Sequence, residues 1–444
     1  MLLSASGADL SLVDTSADGV RKDTRATIIA HVDTLRQLAA CRRGDDAVEC
    51  MAVLSVLSEL CSVEDDVAAE GNRTILGQAD GIGVTARFLA GSDESEEWEA
   101  GTPHRGVFVT ALSTLGNACR NHERNRDAFT EANMAQVNRL ILRSIDKSDR
   151  DLVEEGLRLV RVVCTKAEGN KGAFIRQQGA LVLTMALRRY GSGGAQDAGV
   201  TKETCGALRS ITTGDDRRTD FSGAYENVKV LVLKGAVNLL LDAAQEFKDD
   251  PSTVSWVYLA LKQLAANDSS VKLIAEKGGL ELVFGAIVAF PTDALVCRTG
   301  LSLFRNVCAN DALKTKLLND GALRLILGCM RQHKDDKILQ EHGCATIAAM
   351  ALRSPSNGAK IVQEGGITAI VEAMRRHPTA QALQRQACLC VRNVAARGPS
   401  LRQTLLDEGC ETVLRNAGKC RGCVDEAYGA LRDLRCEVGH VMVL

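Results

Sequence analysis

Leu317-Leu318-Asn319-Asp320-Gly321-Ala322-Leu323-Arg324-Leu325-Ile326-Leu327-Gly328-Cys329-Met330 decides the fold. A helical end runs into a glycine and an apolar run follows at once, the order expected where one helix stops at a left-handed residue and a second begins. Ile361-Val362-Gln363-Glu364-Gly365-Gly366-Ile367 repeats the arrangement, and the marker glycine recurs near Gly235, Gly278, Gly321, Gly365 and Gly409, at intervals of 43, 43, 44 and 44 residues. A period of this size is that of stacked helical repeats. Such a stack contacts itself repeat to repeat and presents a long surface in place of one central pocket, so function is expected along an extended face.

Composition agrees. A one-dimensional array has no single-core ceiling, so one continuous array is acceptable at 444 residues and length alone does not argue for two domains. Hydrophobic residues make up 45% and aromatics only 3%, which suits small and medium side chains packed between helices in an all-α protein. The net charge of -2 gives no bulk attraction to nucleic acid or an acidic membrane. Many of the sixteen cysteines, Cys205, Cys344 and Cys388 among them, fall at apolar helical positions where a thiol acts as a small hydrophobe, and they are read as reduced. Met1-Leu2-Leu3-Ser4 opens without a basic segment and apolar core, and no apolar run approaches the roughly 18 residues of a membrane span. A cytoplasmic or nuclear location, with no membrane partner, is expected.

Residues 1–22 carry Ser, Gly and Asp without periodicity and are expected to be flexible. Residues 23–62 show helical spacing (Ile28, Val32, Leu35, Leu38, then Val53, Leu54, Leu57, Leu60) and read as an N-terminal cap. The repeat array is assigned to 63–436, in about eight units, and 437–444 to a tail. Each unit parses into three helices, clearest at Ala312 to Asn319, Leu323 to Gln332 and Glu341 to Leu352. Second helices are placed near Gly81, Asn133, Gly179, Gly235, Gly279, Gly321, Gly366 and Gly409, and a last third helix spans Val424 to Leu434. The 56 residues from Gly179 to Gly235 exceed the period, and the surplus is assigned to loop insertions at Gly191 to Gly194 and Gly214 to Asn227. Ser92 to Thr102 is acidic, breaks the helical pattern and is read as a flexible connector.

Aligning third helices on Asn117, Ser210, Gln263, Asn306, Ala349, Asn393 and Asp433 shows an apolar residue two before (Leu115, Leu208, Leu261, Phe304, Ile347, Val391, Leu431). Another stands one after (Ala118, Ile211, Leu264, Val307, Met350, Val394, Leu434). At 100° per residue the aligned column is offset from the centre of that apolar side and lines the open face. The residue just before it is basic at Arg209, Lys262, Arg305, Arg392 and Arg432. Two readings stand: a basic stripe fitting an acidic peptide, or guanidinium groups paired with neighbouring carboxylates on a solvated face.

Leu303-Phe304-Arg305-Asn306-Val307 and Val391-Arg392-Asn393-Val394 resemble the third-helix signature of the armadillo family, and Leu318-Asn319-Asp320-Gly321-Ala322 and Gln363-Glu364-Gly365-Gly366-Ile367 its turn between first and second helices. The closing Cys423-Val-Asp-Glu-Ala-Tyr-Gly-Ala-Leu-Arg-Asp-Leu-Arg-Cys436 is similar to that of the armadillo repeat-containing protein 6 family. The resemblance implies an armadillo/HEAT-type solenoid, a right-handed α-α superhelix. It further implies a non-enzymatic scaffold that binds an extended or helical protein segment along the concave third-helix groove, the Asn side chains holding the ligand backbone. Asn117, Arg209, Lys262, Arg305, Asn306, Arg392 and Asn393 are the groove residues so identified. In importin-α a Trp stands four residues before the groove Asn; here Ser113, Ser302 and Leu389 stand there, which disfavours the alternative of a nuclear-import adaptor.

Other chemistry lacks its pattern. Cys420-Arg-Gly-Cys423, with Cys410 and Cys436 nearby, has the spacing of half a zinc site without a second close pair, so no metal is expected. The histidines His31, His104, His122, His333, His342, His377 and His440 are scattered among units with no triad spacing, and Gly191-Ser-Gly-Gly194 lacks the Lys-Ser or Lys-Thr of a phosphate loop. No cofactor, small-molecule substrate or enzymatic role is expected. Nucleic-acid binding remains an alternative, disfavoured by a pI near 6.4 and only two tryptophans, Trp98 and Trp256.

Overall fold

The computed structural model describes residues 17–41, 46–62, 67–89 and 103–437; the acidic connector 92–102, most of the N-terminal segment and most of the tail lie outside them. The described residues are all-α and contain no strand. By internal packing they divide into two compact units, one of residues up to 186 with 206–227, the other of 187–205 with 228 onward.

The first unit opens with α1 (Ala17–Cys41), which starts ahead of the expected Thr24, and α2 (Ala47–Leu60). Helix triplets follow: α3 (Val67–Gln78), α4 (Gly81–Arg87) and α5 (Pro103–Cys119), then α6 (Glu123–Asp127), α7 (Glu131–Asp146) and α8 (Arg150–Cys164). Next come α9 (Glu168–Arg176) and α10 (Gly179–Ala186). A π-turn at Leu187–Gly191 precedes α11 (Ala198–Ile211), and α12 (Ala224–Leu233) follows. Both α11 and α12 run across the boundary between the units.

The second unit continues through α13 (Ala236–Glu246), α14 (Pro251–Leu264), α15 (Asp268–Glu276), α16 (Gly279–Ala289) and α17 (Ala294–Val307). It is completed by α18 (Asp311–Asn319), α19 (Ala322–Gln332), α20 (Lys337–Ala351), α21 (Pro355–Gln363), α22 (Gly366–Arg376), α23 (Gln381–Arg397), α24 (Arg402–Asp407), α25 (Cys410–Ala417) and α26 (Val424–Asp433). Third helices pack side by side, α2 on α5 on α8 in the first unit and α14 through α17, α20 and α23 to α26 in the second. The two apolar columns are the reason: Leu115, Leu208, Leu261, Phe304, Ile347 and Val391 are fully buried, as are Ala118, Ile211, Leu264, Val307 and Met350.

The turn between first and second helices passes through a left-handed residue, a glycine in the second unit and another residue type in the first. Gly235, Gly278, Gly321, Gly365 and Gly409 have φ between 80° and 92°, in the left-handed region. In the first unit Asp80 (φ 61°) and Gln178 (φ 64°) hold that conformation, and the second helices begin at Gly81 and Gly179, where the sequence placed them. They serve close packing: a Cβ on Gly81 would meet the Leu76 carbonyl oxygen at 2.8 Å, and one on Gly179 that of Phe174 at 2.4 Å. Helix α7 instead begins at a Thr130 capping box whose third residue is Asn133. Third helices start on aspartate caps, Asp149, Asp250, Asp293 and Asp336, each accepting from backbone N–H groups of the first turn.

The assigned insertion from Gly214 to Asn227 is shorter than expected, because α12 already begins at Ala224. Its front half is a tied strap. Arg218 donates to Glu123 at 2.6 Å, Asp127 at 2.8 Å, Asp216 at 2.9 Å and the Lys166 carbonyl at 3.0 Å. Asp215 accepts from the buried Lys171 at 2.6 Å, and the Gly223 N–H donates to Glu168 at 2.6 Å.

Candidate partner-binding face of the third helices

The aligned residues are half-buried in each unit: Asn117 and Ser210 in the first, Gln263, Asn306, Ala349, Asn393 and Asp433 in the second. The asparagines have a task inside the fold. Asn306 Nδ2 donates to the Lys262 carbonyl at 3.0 Å, and Asn393 Nδ2 to the Ala348 carbonyl at 3.0 Å. Asn117 Nδ2 donates to Ser58 Oγ at 2.9 Å and the Ser58 carbonyl at 3.3 Å. Each acceptor lies in the last turn of the preceding third helix, where backbone carbonyls have no intrahelical partner. The amide thus caps its neighbour, and among the described residues its Oδ1 receives no protein hydrogen bond. In Asn306 and Asn393 this leaves the oxygen and one N–H, an acceptor and a donor, without a protein partner among the described residues.

In the first unit the column contains Asn117 on α5 and Ser210 on α11, whose hydroxyl lies 3.4 Å from Thr165 Oγ1. Between them α8 places Val162, flanked by buried Val160 and Val163, with Arg161 in the basic column. The sequence alignment passed over α8; an apolar residue, a basic one and, two later, another apolar one at Val160, Arg161 and Val163, as at Phe304, Arg305 and Val307, was the available signal.

The two readings of the basic column divide by residue. Arg392 approaches Asp433 at 3.4 Å and lies over Gly429, where a Cβ would meet its guanidinium at 3.3 Å; Arg432 pairs with the same Asp433 at 3.0 Å. Arg209 and Arg305 are exposed and, among the described residues, have no carboxylate partner. Arg298, two turns earlier along the same face of α17, is tied to Asp336. In the second unit Lys262 and Arg305 act together on His342 of α20: burial first, then the charges of Lys262, Arg305 and Arg298, push its imidazole down to about 4 against the opposing Asp336. His342 Nδ1 is buried without a hydrogen-bond partner, so the ring is held neutral in a positive field.

First helices contribute cations that the sequence reading did not find, buried at Arg73, Lys171 and Lys314 and half-buried at Arg402. Lys171 donates to the Thr213 carbonyl at 2.5 Å beyond α11, and Lys314 to the Leu352 carbonyl at 2.5 Å beyond α20. Arg73 Nε donates to the Cys61 and Asn117 carbonyls at 3.0 and 3.1 Å, and Arg402 to the Asp433 carbonyl at 2.8 Å. These cations satisfy orphan carbonyls and oppose the negative end of each third-helix dipole.

Cysteine chemistry is largely silenced by packing. Burial pushes the Cys50 and Cys61 thiols up to about 11, and those of Cys119, Cys308 and Cys344 up to about 12. Among the described residues no His, Cys, Asp and Glu cluster is arranged to hold a metal ion, and no helix is long and apolar enough to cross a membrane.

Residues 28–441 match the family model described as ARMC6. Armadillo repeat-containing protein 6 of Pongo abelii is 32% identical over 118 residues, and that of Homo sapiens 31% over 118 residues; each match covers 26% of this chain and 23% of the relative. The match thus spans about a quarter of those curated relatives' length. An engineered protein solved by the Northeast Structural Genomics Consortium superposes with a TM-score of 0.64 at 19% identity, covering 96% of this chain and 98% of its own, a likeness of fold. With stacked helix triplets, capping asparagines and a family match over nearly its whole length, this chain belongs to the armadillo repeat-containing protein 6 family.

Proposed function

We propose that this protein is a non-enzymatic scaffold that holds an extended or helical segment of an acidic protein partner against its third helices, in the cytoplasm or nucleus. The observation that carries the reading is Arg305 of the second unit, exposed on α17 with no carboxylate partner among the described residues and next to Asn306, whose Oδ1 the fold leaves without a donor; Arg209 of the first unit is likewise exposed and unpaired, next to Ser210. Fixed guanidinium groups favour carboxylate side chains, and a rigid wall lets a flexible segment bind without remodelling the scaffold. Within the second unit Lys262 adds to the field of Arg305, whereas Arg392 meets a partner only in exchange for Asp433.

The test is charge reversal where no internal contact is lost. Arg209→Glu with Arg305→Glu is expected to weaken capture of a fluorescent oligoglutamate peptide, and of cellular partners, at least tenfold at low salt, while the melting temperature stays within about a degree of wild type. Retained binding by this variant overturns the reading. Alanine at Asn306 or Asn393 is the poorer probe, because it also uncaps a neighbouring helix.

A further inference from the structure

Two open clefts lie side by side on the second unit, on the face carried by its second helices, and they are opposite in charge. The first, of about 410 Å³ between α19 and α22, has a buried floor at Met330 and Ala373 and an exposed rim of Arg331, Lys334, Arg375 and Arg376. The second, also of about 410 Å³, lies between α22 and α24 and is walled by Asp407 and Glu408. Glu372 and Arg375 line both, so the clefts share a border. Arg375 lies over Gly409 there, where a Cβ would meet its Nη2 at 2.7 Å.

Few of these charges are neutralised inside the fold. Arg376 is tied to Asp335 at 2.6 Å. Among the described residues, Arg331, Lys334 and Arg375 have no carboxylate partner, and Glu372, Asp407 and Glu408 have no cationic one. Glu408 accepts from the Thr368 hydroxyl at 2.8 Å and Asp407 from the Gln403 amide at 2.9 Å, both neutral donors. Nor do the ends of the second helices occupy the guanidinium groups. Gln340 Nε2 donates to the Met330 and His333 carbonyls at 2.7 and 3.0 Å, and Gln384 Nε2 to those of Met374 and His377 at 2.9 Å each.

We propose that this pair of clefts is a second docking surface, separate from the third-helix wall, for a protein segment in which a phosphoserine or phosphothreonine stands within about three residues of a lysine or arginine. The charge balance selects the phosphate. Three unpartnered cations against the one carboxylate of Glu372 leave two positive charges over, which a phosphomonoester of about −1.5 to −2 balances and a single carboxylate side chain does not. Arg331 and Arg375, reaching in from adjacent repeats, give forked donors that suit its oxygens. The apolar floor favours a phosphorylated side chain over a free phosphate ion, which would leave Met330 wet. Asp407 and Glu408 select the class of ligand. A nucleic acid running on from the first cleft would bring further phosphates against them, whereas a peptide can bring a cationic side chain.

The test uses the full-length protein and the fluorescein-labelled peptide Gly-Arg-Ala-Ala-pSer-Ala-Ala-Arg-Gly, whose arginines reach the acidic cleft in either chain direction. By fluorescence anisotropy at low salt it is expected to bind at least tenfold more tightly than its unphosphorylated form, and several-fold more tightly than the phosphopeptide with glutamine at both arginines. Arg331→Glu with Arg375→Glu should abolish the preference for phosphate, and Glu372→Gln with Asp407→Asn the preference for arginine. Capture of oligoglutamate should be unchanged in both variants, so this surface and the third-helix reading stand or fall separately. Should the arginine variant fail to fold, the peptide comparisons on the wild-type protein decide alone. The proposal is overturned if the wild type binds the phosphorylated and unphosphorylated peptides alike or ignores loss of the arginines. It is equally overturned if the folded arginine variant keeps the phosphate preference, or if inorganic phosphate or an oligouridylate RNA displaces the phosphopeptide at equal concentration.

Discussion

Asn306 shows how one side chain serves two masters. Its Nδ2 closes the last turn of α14 while its Oδ1 stays open, so the residue stabilises the stack whether or not a partner is present. Asn306→Ala and Asn393→Ala should therefore each destabilise the isolated protein by about 1 kcal/mol in chemical denaturation, with no ligand added. His342 gives a pH signature. Its imidazole stays neutral in the folded state down to about 4, whereas an unfolded histidine protonates near 6.5, so protons favour the unfolded chain. Its stabilising effect is whole above about pH 6.5 and is lost between there and about pH 4, on the order of 2 kcal/mol; urea midpoints for His342→Leu should fall less steeply over that range. The buried columns were legible because a helical period dictates them. The capping role of Asn306 was not, since its acceptor lies 44 residues away and is set by stacking.

At the scale of the element, the turn between first and second helices explains both what the sequence revealed and what it hid. The regular glycines of the second unit mark a left-handed residue, but Asp80 and Gln178 adopt the same backbone without being glycine, so the turn residue itself was hidden there although the second helices begin at Gly81 and Gly179 as expected. Nothing lies within 4 Å of a Cβ at Gly365, so Gly365→Ala tests backbone strain alone and should destabilise by about 1 kcal/mol. Gln178→Gly should do the reverse, raising the denaturation midpoint by an amount equivalent to about 0.5 kcal/mol, because it relieves strain at the cost of chain entropy. Lys171 and Lys314 escaped notice for another reason: a lysine on an amphipathic helix reads as solvated, and only the returning end of a third helix supplies the carbonyl that buries it.

Across the whole molecule, each repeat leans on its neighbours, so damage should stay local. Lys171→Met removes the partner of Asp215 and of the Thr213 carbonyl, and should destabilise by about 2 kcal/mol. In amide hydrogen exchange the loss should appear in α9 and at 206–213 and leave α2 and α3 as protected as before. Family membership was legible in the closing motif and in the period because both are stretches of sequence; the pairing of Arg392 with Asp433, and its absence at Arg305, depends on how adjacent third helices meet. The strap at Arg218 has a practical bearing. Surplus length is often where an engineer splices a reporter, yet one guanidinium there bridges α6 and the turn after α8. A fluorescent module belongs after Gly194, whose surroundings are open, and a cut between Gly214 and Gly223 should loosen the first unit like a severed tie-rod.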